Sequence, residues 1–175
     1  MAGAIPDHVF EQARQQFAEA GRCIPNEQRD FTEWHLGRPC YALWAARLDH
    51  APVKAAVLEA ARHLDGLLLA DYQRQPHVTL ALGGFPAGQP ALRDDFGRSA
   101  LESQLAALVT SAPAPFQLEI GPLASFASAP FLCARDVEGG LGQLRRLLHP
   151  AGDTPDHSYT PHVTVGLYAG PWAVE

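Results

Sequence analysis

The chain has 175 residues, of which 47% are hydrophobic and 18% are charged, and its formal net charge is −6 at pH 7. This composition is typical of a globular protein with one compact domain or two small lobes, and it excludes a disordered or fibrous chain. The negative charge argues against electrostatic capture of long nucleic acid, but it is compatible with a small phosphate ligand in a locally basic cleft.

The sequence also restricts the compartment and the cofactors that we expect. No apolar run is long enough to cross a membrane, and residues 1–10 lack the basic and apolar regions of a signal peptide. Cys23, Cys40 and Cys133 are odd in number and far apart, which argues against a disulfide framework or a zinc knuckle. We therefore expect a cytoplasmic, monomeric protein without a metal or other cofactor, with Cys40 and Cys133 in the core.

The first 39 residues are predicted to form an N-terminal segment that lies over the main body, which spans residues 40–175. This segment consists of a helix over 7–20 and a polar, irregular arm over 22–39. The elements predicted for the first part of the body are, in chain order, a strand over 40–48, a helix over 51–69, a strand over 77–82, a loop rich in Gly and Pro over 83–90 and a helix over about 91–110.

The second part of the body also contains a strand and a helix followed by a motif strand. Its predicted elements are a strand over 116–120, turns at 121–122 and 125–130, a strand over 131–137, a helix over 139–148, a loop over 151–160 and a strand over 162–168. In each part a strand and a helix precede a short strand rich in β-branched residues. The pattern predicts an α+β fold with two related lobes, contributed around 40–110 and 111–175.

The last strand of each lobe carries the same motif. The sequence PHVTLAL at 76–82 recurs as PHVTVGL at 161–167, with Pro, His, Val, Thr and the final Leu in register. Alternate side chains of a strand share a face, so each histidine is accompanied by the threonine two positions later. A single His-x-Thr has little predictive value, but an in-register pair on two strands predicts one shared site.

The chemistry of these side chains indicates acid–base catalysis. Imidazole has an ordinary pKa near 6.5, so His77 and His162 can act as an acid and a base near neutral pH. Thr79 and Thr164 share their strand faces with the imidazoles, and their hydroxyls can donate hydrogen bonds. We therefore predict two catalytic histidines, with the two threonines in the same site.

The paired H-V-T-L and H-V-T-V strands resemble the two-histidine (2H) phosphoesterase superfamily, and in particular its LigT-like 2′,5′ RNA ligase branch. The resemblance covers roughly Tyr41 to Tyr168 and includes the flanks of both motifs. It implies a bilobal α+β fold in which two pseudo-symmetric, mostly antiparallel sheets face a central cleft, with helices outside. It also implies metal-independent hydrolysis of a 2′,3′-cyclic or related 2′-linked phosphate on a nucleotide or RNA end. In such a site Thr79 and Thr164 would bind the phosphate, by donating hydrogen bonds to its non-bridging oxygens as negative charge develops on them.

By analogy with this family, His77 would protonate the leaving oxygen and His162 would activate water, although the residues themselves leave the assignment open. Many members of the branch carry Arg or Lys five residues after the second motif histidine, where this chain has Leu167. The phosphate-binding cation would therefore come from elsewhere. The candidates are Arg47, Arg74 and Arg135.

Family members also usually continue with further strands after the second motif, whereas this sequence ends at Glu175. We expect either a truncated chain or an N-terminal segment that covers that edge, since an open edge strand promotes aggregation. Aromatic residues near the motifs could stack on a base, although core packing is favoured for each of them. The candidates are Tyr159, Tyr168, Trp44 and Phe126, and His157 could also touch the substrate.

Several functional alternatives remain open. The protein could be a phosphodiesterase, or a non-hydrolytic module that binds nucleotides or RNA ends. A zinc site at His77 and His162 is disfavoured because no third ligand recurs beside the motifs. Within the enzyme class, the substrate could be a 2′,3′-cyclic RNA end, a 2′,5′-linked oligonucleotide, a cyclic oligonucleotide or an ADP-ribose cyclic phosphate.

Overall fold

A computed structural model describes residues 8–149 and 159–174 of the chain. Its helices and strands are, in chain order, α1 (His8–Ala20), α2 (Thr32–His35), β1 (Ala42–Arg47), α3 (Ala51–His63), β2 (His77–Ala87), β3 (Asp95–Gly97), α4 (Arg98–Ser111), β4 (Leu118–Ser125), β5 (Pro130–Asp136), α5 (Gly140–Leu148) and β6 (His162–Thr164).

The strands form two three-stranded sheets, with the orders β1-β2-β3 and β4-β5-β6. Within the described residues, β2 and β3 pair in parallel and the other strand pairs are antiparallel. The two motif strands, β2 and β6, belong to different sheets and lie beside each other. The predicted α+β fold with two lobes is confirmed.

The alternation of the motif residues places the two valines in the core. Val78 and Val163 are fully buried, and they share one apolar cluster with Leu141 and Leu148 of α5. Burial of such a side chain contributes roughly 1.5–3 kcal/mol to stability. The adjacent histidines and threonines are only half-buried, because they lie on the opposite face of each strand. We call that face of each sheet the motif face.

The N-terminal helix packs on the motif face of the second sheet. Phe10 and Ala13 of α1 are buried in a cluster with Phe131 and Cys133 of β5. Phe131 and Cys133 are the cross-strand partners of Thr164 and His162, so their side chains share the motif face. The division between residues 1–39 and 40–175 stays a prediction, and α1 packs against the main body.

The chain after α1 runs beside the chain that follows the second motif. The backbone N–H of Cys23 donates to the carbonyl of Trp172 at 2.8 Å, and that of Asn26 donates to the carbonyl of Tyr168 at 2.8 Å. The side-chain amide of Asn26 also donates to the carbonyl of Ser128 at 2.8 Å. The N-terminal segment therefore covers this part of the second lobe.

Several predicted boundaries were wrong, and the causes are local. β2 continues through the predicted loop to Ala87 because Gly84, at φ 122°, allows the carbonyl of Asp94 to approach closely. β3 then pairs with the end of β2, so α4 begins only at Arg98. The predicted turn at 121–122 is a register shift inside β4. Cys133 is buried as expected, whereas Cys40 is exposed.

Candidate active site

The two motif histidines are held by the same hydrogen bond. Nδ1 of His77 lies 2.7 Å from the carbonyl oxygen of Gln75, and Nδ1 of His162 lies 2.7 Å from that of Thr160. A carbonyl can only accept, so Nδ1 carries the proton in both rings. Each Nε2 is therefore left for a substrate, where it can accept a proton or, when protonated, donate one.

The pKa of His162 depends on its burial and on charges from the other lobe. Burial lowers the pKa of His162 below its ordinary 6.5, and the hydrogen bond to Thr160 opposes this effect. The positive charges of His77 and Arg74 lower the pKa of His162 further. At neutral pH His162 is therefore unprotonated, so its Nε2 is free to accept a proton.

Two phenylalanines pack against the ring of His162. The ring of Phe126 meets the imidazole edge-on, with centroids 5.0 Å apart, and the ring of Phe131 lies 5.2 Å away. Phe126 thus lies against a motif histidine, as a stacking candidate should. Trp44 does not, because it packs against the main core and donates from Nε1 to Gln104 Oε1 at 2.7 Å.

The two threonines accompany the histidines on the motif faces. Thr79 lies opposite Ala45 on β1, and Thr164 lies opposite Phe131 on β5. Both threonines are half-buried. The structure therefore places a hydroxyl beside each imidazole, on strands that neighbour each other.

The two tyrosines predicted as possible substrate contacts have hydroxyls bonded within the protein. Tyr159 donates to the carbonyl oxygen of Thr79 at 2.6 Å. Tyr168 is only 4% exposed, and its hydroxyl lies 2.7 Å from Ser125 Oγ. These positions favour packing over substrate contact. His157 lies outside the described residues.

One of the three candidate cations lies directly at a motif histidine. Arg47 is the cross-strand partner of His77. With the side-chain amide of Gln75 oriented to satisfy both groups, its oxygen accepts from Arg47 Nε at 2.9 Å and Nη2 at 2.7 Å. Gln75 therefore contacts Arg47 through its side chain and His77 through its backbone. Gln75 was not predicted from the sequence, where its only signal was its position just before the motif.

The other two candidate cations differ in their relation to the motif histidines. Arg74 is exposed and close enough to His162 to affect its pKa. Arg135 forms an ion pair with Glu119 at 3.7 Å and lines a cavity of about 660 Å³ beside α1. Leu167 supplies no charge, and its carbonyl accepts from the Leu69 N–H at 2.8 Å.

The two motif strands and the family comparison agree. A sequence model of the 2′-5′ RNA ligase superfamily matches residues 45–175, which include both motifs. The chain belongs to this superfamily. This is the LigT-like family of the 2H phosphoesterases, as the motifs predicted. No curated protein and no solved structure matches it significantly.

The described residues contain neither a group of side chains that could hold a metal ion nor a helix that could span a membrane. Among residues 8–149 and 159–174, no group of three or more His, Cys, Asp or Glu side chains is arranged to hold a metal ion. None of the helices in the same ranges has the length and apolar character to span a bilayer.

Proposed function

We propose that the protein hydrolyses a 2′,3′-cyclic or related 2′-linked phosphate at the end of a nucleotide or RNA, without a metal. Membership of the superfamily supports an activity of the 2H phosphoesterase type. One observation carries the specific proposal. The imidazoles of His77 and His162, which come from different lobes, both carry a proton on Nδ1, and the positive charge of His77 lowers the pKa of His162.

In the proposed reaction, Nε2 of His162 accepts a proton from water as the water oxygen attacks phosphorus. The bond between phosphorus and one ribose oxygen breaks, and His77 gives its Nε2 proton to that oxygen. The lowered pKa of His162 supports its role as the base, because a general base must be unprotonated at working pH. Opening the ring in this way yields a phosphomonoester.

The remaining site residues would stabilise the negative charge of the transition state. Thr79 and Thr164 can donate hydroxyl hydrogen bonds to the non-bridging phosphate oxygens. Arg47 takes the place of the cation that Leu167 does not supply, since it lies across from His77 and its guanidinium reaches Gln75 at the start of the motif. A guanidinium there can pair with a phosphate through two N–H groups.

The same proposal includes the partners of the protein. A net charge of −6 favours recognition of a short end over tracking along a phosphate backbone. We therefore propose that a monomer acts in the cytoplasm on single nucleotides or RNA ends, in RNA processing.

A turnover assay in EDTA tests this function. The substrates are 2′,3′-cyclic AMP and a short RNA with a 2′,3′-cyclic phosphate end, and the product is identified as a 2′- or 3′-monophosphate. We expect multiple turnovers that EDTA does not affect. Binding without turnover of either substrate would instead identify a non-hydrolytic RNA-end binding module and reject the proposal.

A further inference from the structure

The first motif contains a β-bulge immediately after Thr79. Ala45 pairs with Thr79 and Trp44 pairs with Ala81, so Leu80 is an extra residue on β2. Leu80 and Ala81 are both buried, at 6% and 3% exposure. A bulge disrupts the regular hydrogen-bonding pattern, and buried backbone groups there need other partners.

Two side chains of the second lobe bind the carbonyls at this bulge. The hydroxyl of Tyr159 donates to the carbonyl oxygen of Thr79 at 2.6 Å. Nη1 of Arg145, on α5, donates to the carbonyl oxygen of Leu80 at 2.6 Å. The backbone of the first motif is thus held by the lobe that carries the second motif.

Tyr159 and Arg145 also hold each other in place. The guanidinium carbon of Arg145 lies 3.4 Å from the centre of the Tyr159 ring, which is a cation–π contact. Burial raises the pKa of Tyr159 to about 12, although the Arg145 charge opposes this effect. The hydroxyl therefore remains a protonated donor at neutral pH.

The chain from Tyr159 to His162 connects this contact to the second histidine. The carbonyl of Thr160, a residue only 9% exposed, accepts the hydrogen bond that orients the His162 ring. One end of this four-residue segment is therefore bonded to Thr79, and the other end is the oriented imidazole. The first motif is therefore connected to the His162 ring by the hydrogen bond between Tyr159 and Thr79 and by the backbone of residues 159–162, whose Thr160 carbonyl orients that ring.

We propose that Tyr159 and Arg145 are positioning residues, which fix the first motif relative to His162 and so set the geometry across the reacting phosphorus. The inference rests on the proposed function and deepens it. In this proposal neither residue contacts the phosphate. Both act through the backbone of Thr79 and Leu80, and a displacement of about 1 Å between catalytic groups can reduce a rate on the order of 100-fold.

Tyr159→Phe is the most selective test, because it deletes one hydroxyl and keeps the ring for Arg145. We expect kcat to fall about 10-fold while KM changes less than about twofold, because Thr79 is proposed to stabilise the charge of the transition state, which the bound substrate lacks. Trp172→Phe is the control. It deletes the hydrogen bond from Trp172 Nε1 to the carbonyl oxygen of Leu67 and should leave kcat unchanged.

A double-mutant cycle shows whether Tyr159 acts through Thr79. In a Thr79→Val background, Tyr159→Phe should cost less than about twofold in kcat, because the group that it positions is already lost. Independent, multiplicative losses would overturn the inference, as would a wild-type kcat for Tyr159→Phe. Arg145→Lys should retain more activity than Arg145→Met, because a lysine can still donate to a carbonyl.

A second readout does not depend on turnover. The ring resonances of His77 and His162 in ¹H–¹⁵N spectra should both shift in Tyr159→Phe and stay unchanged in Trp172→Phe. If the wild-type protein turned over no phosphodiester, the proposed function would fail and these spectra alone would decide the positioning role. Unchanged ring resonances in Tyr159→Phe would reject it.

Discussion

A positive charge on His77 lowers the pKa of His162, although the two residues belong to different sheets. The pair therefore accepts one proton more readily than two, which is the protonation state that a general acid and a general base need together. Burial lowers the pKa of His162, which supports our proposal that this ring is the general base.

This assignment predicts a bell-shaped dependence of kcat on pH. Because the pKa of His162 lies below 6.5, activity should be lost on the acidic side only as pH falls below that value. Phe126→Ala would admit water beside the imidazole, relieve part of its burial and move the acidic limb toward higher pH. Steady-state pH profiles of the two proteins provide the measurement, and an unmoved limb would show that Phe126 does not lower the pKa of His162.

The lowered pKa of His162 also makes the stability of the fold depend on pH. Since the pKa of His162 is lower in the folded protein than in the unfolded chain, the unfolded chain binds more protons, and the free energy of unfolding decreases as pH falls through 6.5 and below. Urea unfolding at about pH 7.5 and about pH 5.5 should show a larger loss for the wild type than for His162→Gln. Equal losses would show that burial does not penalise the charged ring.

Arg47 should contribute to phosphate binding. Arg47→Gln is expected to raise KM roughly 10-fold for a cyclic phosphate substrate, which corresponds to about 1.4 kcal/mol of lost binding. Arg135→Gln is the matched control, because Arg135 pairs with Glu119 beside α1 and should leave KM within about twofold. Michaelis–Menten kinetics of the three proteins decide the question. Equal effects of the two substitutions would exclude a local role for Arg47.

The motif valines should be important for stability. Val78 has no exposed surface, so Val78→Ala is expected to cost roughly 1.5–3 kcal/mol from lost burial and a residual cavity. Val109 is 78% exposed on α4, and Val109→Ala should stay within about 0.5 kcal/mol of the wild type. Chemical denaturation of both variants measures the difference. A loss at Val78 as small as that at Val109 would contradict the burial of this face of β2.

The sequence was sufficient for the fold class and for the sharing of a face by His77 and Thr79, because alternation along a strand is a local property. It did not reveal that Arg47 lies opposite His77, since that register depends on the bulge at Leu80. Nor did it place α1 on the motif face of the second sheet. That contact is made between residues far apart in the chain, and composition carries no signal for it.

The role of Tyr159 shows the same limit. Its position just before the second motif suggested a substrate contact, because aromatic residues beside a nucleotide site often stack on bases. In the structure its hydroxyl reaches across to the first motif. The short distance in sequence between Tyr159 and His162 indicated that Tyr159 lies near the site. The direction of its side chain could not be predicted, because it depends on how the two lobes pack.

Catalysis by the paired histidines is tested most directly by turnover of 2′,3′-cyclic AMP in EDTA by the wild type, His77→Ala and His162→Ala, with circular dichroism to confirm that all three are folded. Each histidine is expected to contribute about 10²–10⁴-fold to kcat through proton transfer. We therefore predict that both variants bind the nucleotide and lose at least about 100-fold in kcat. Near wild-type turnover by both folded variants would contradict catalysis by the paired histidines.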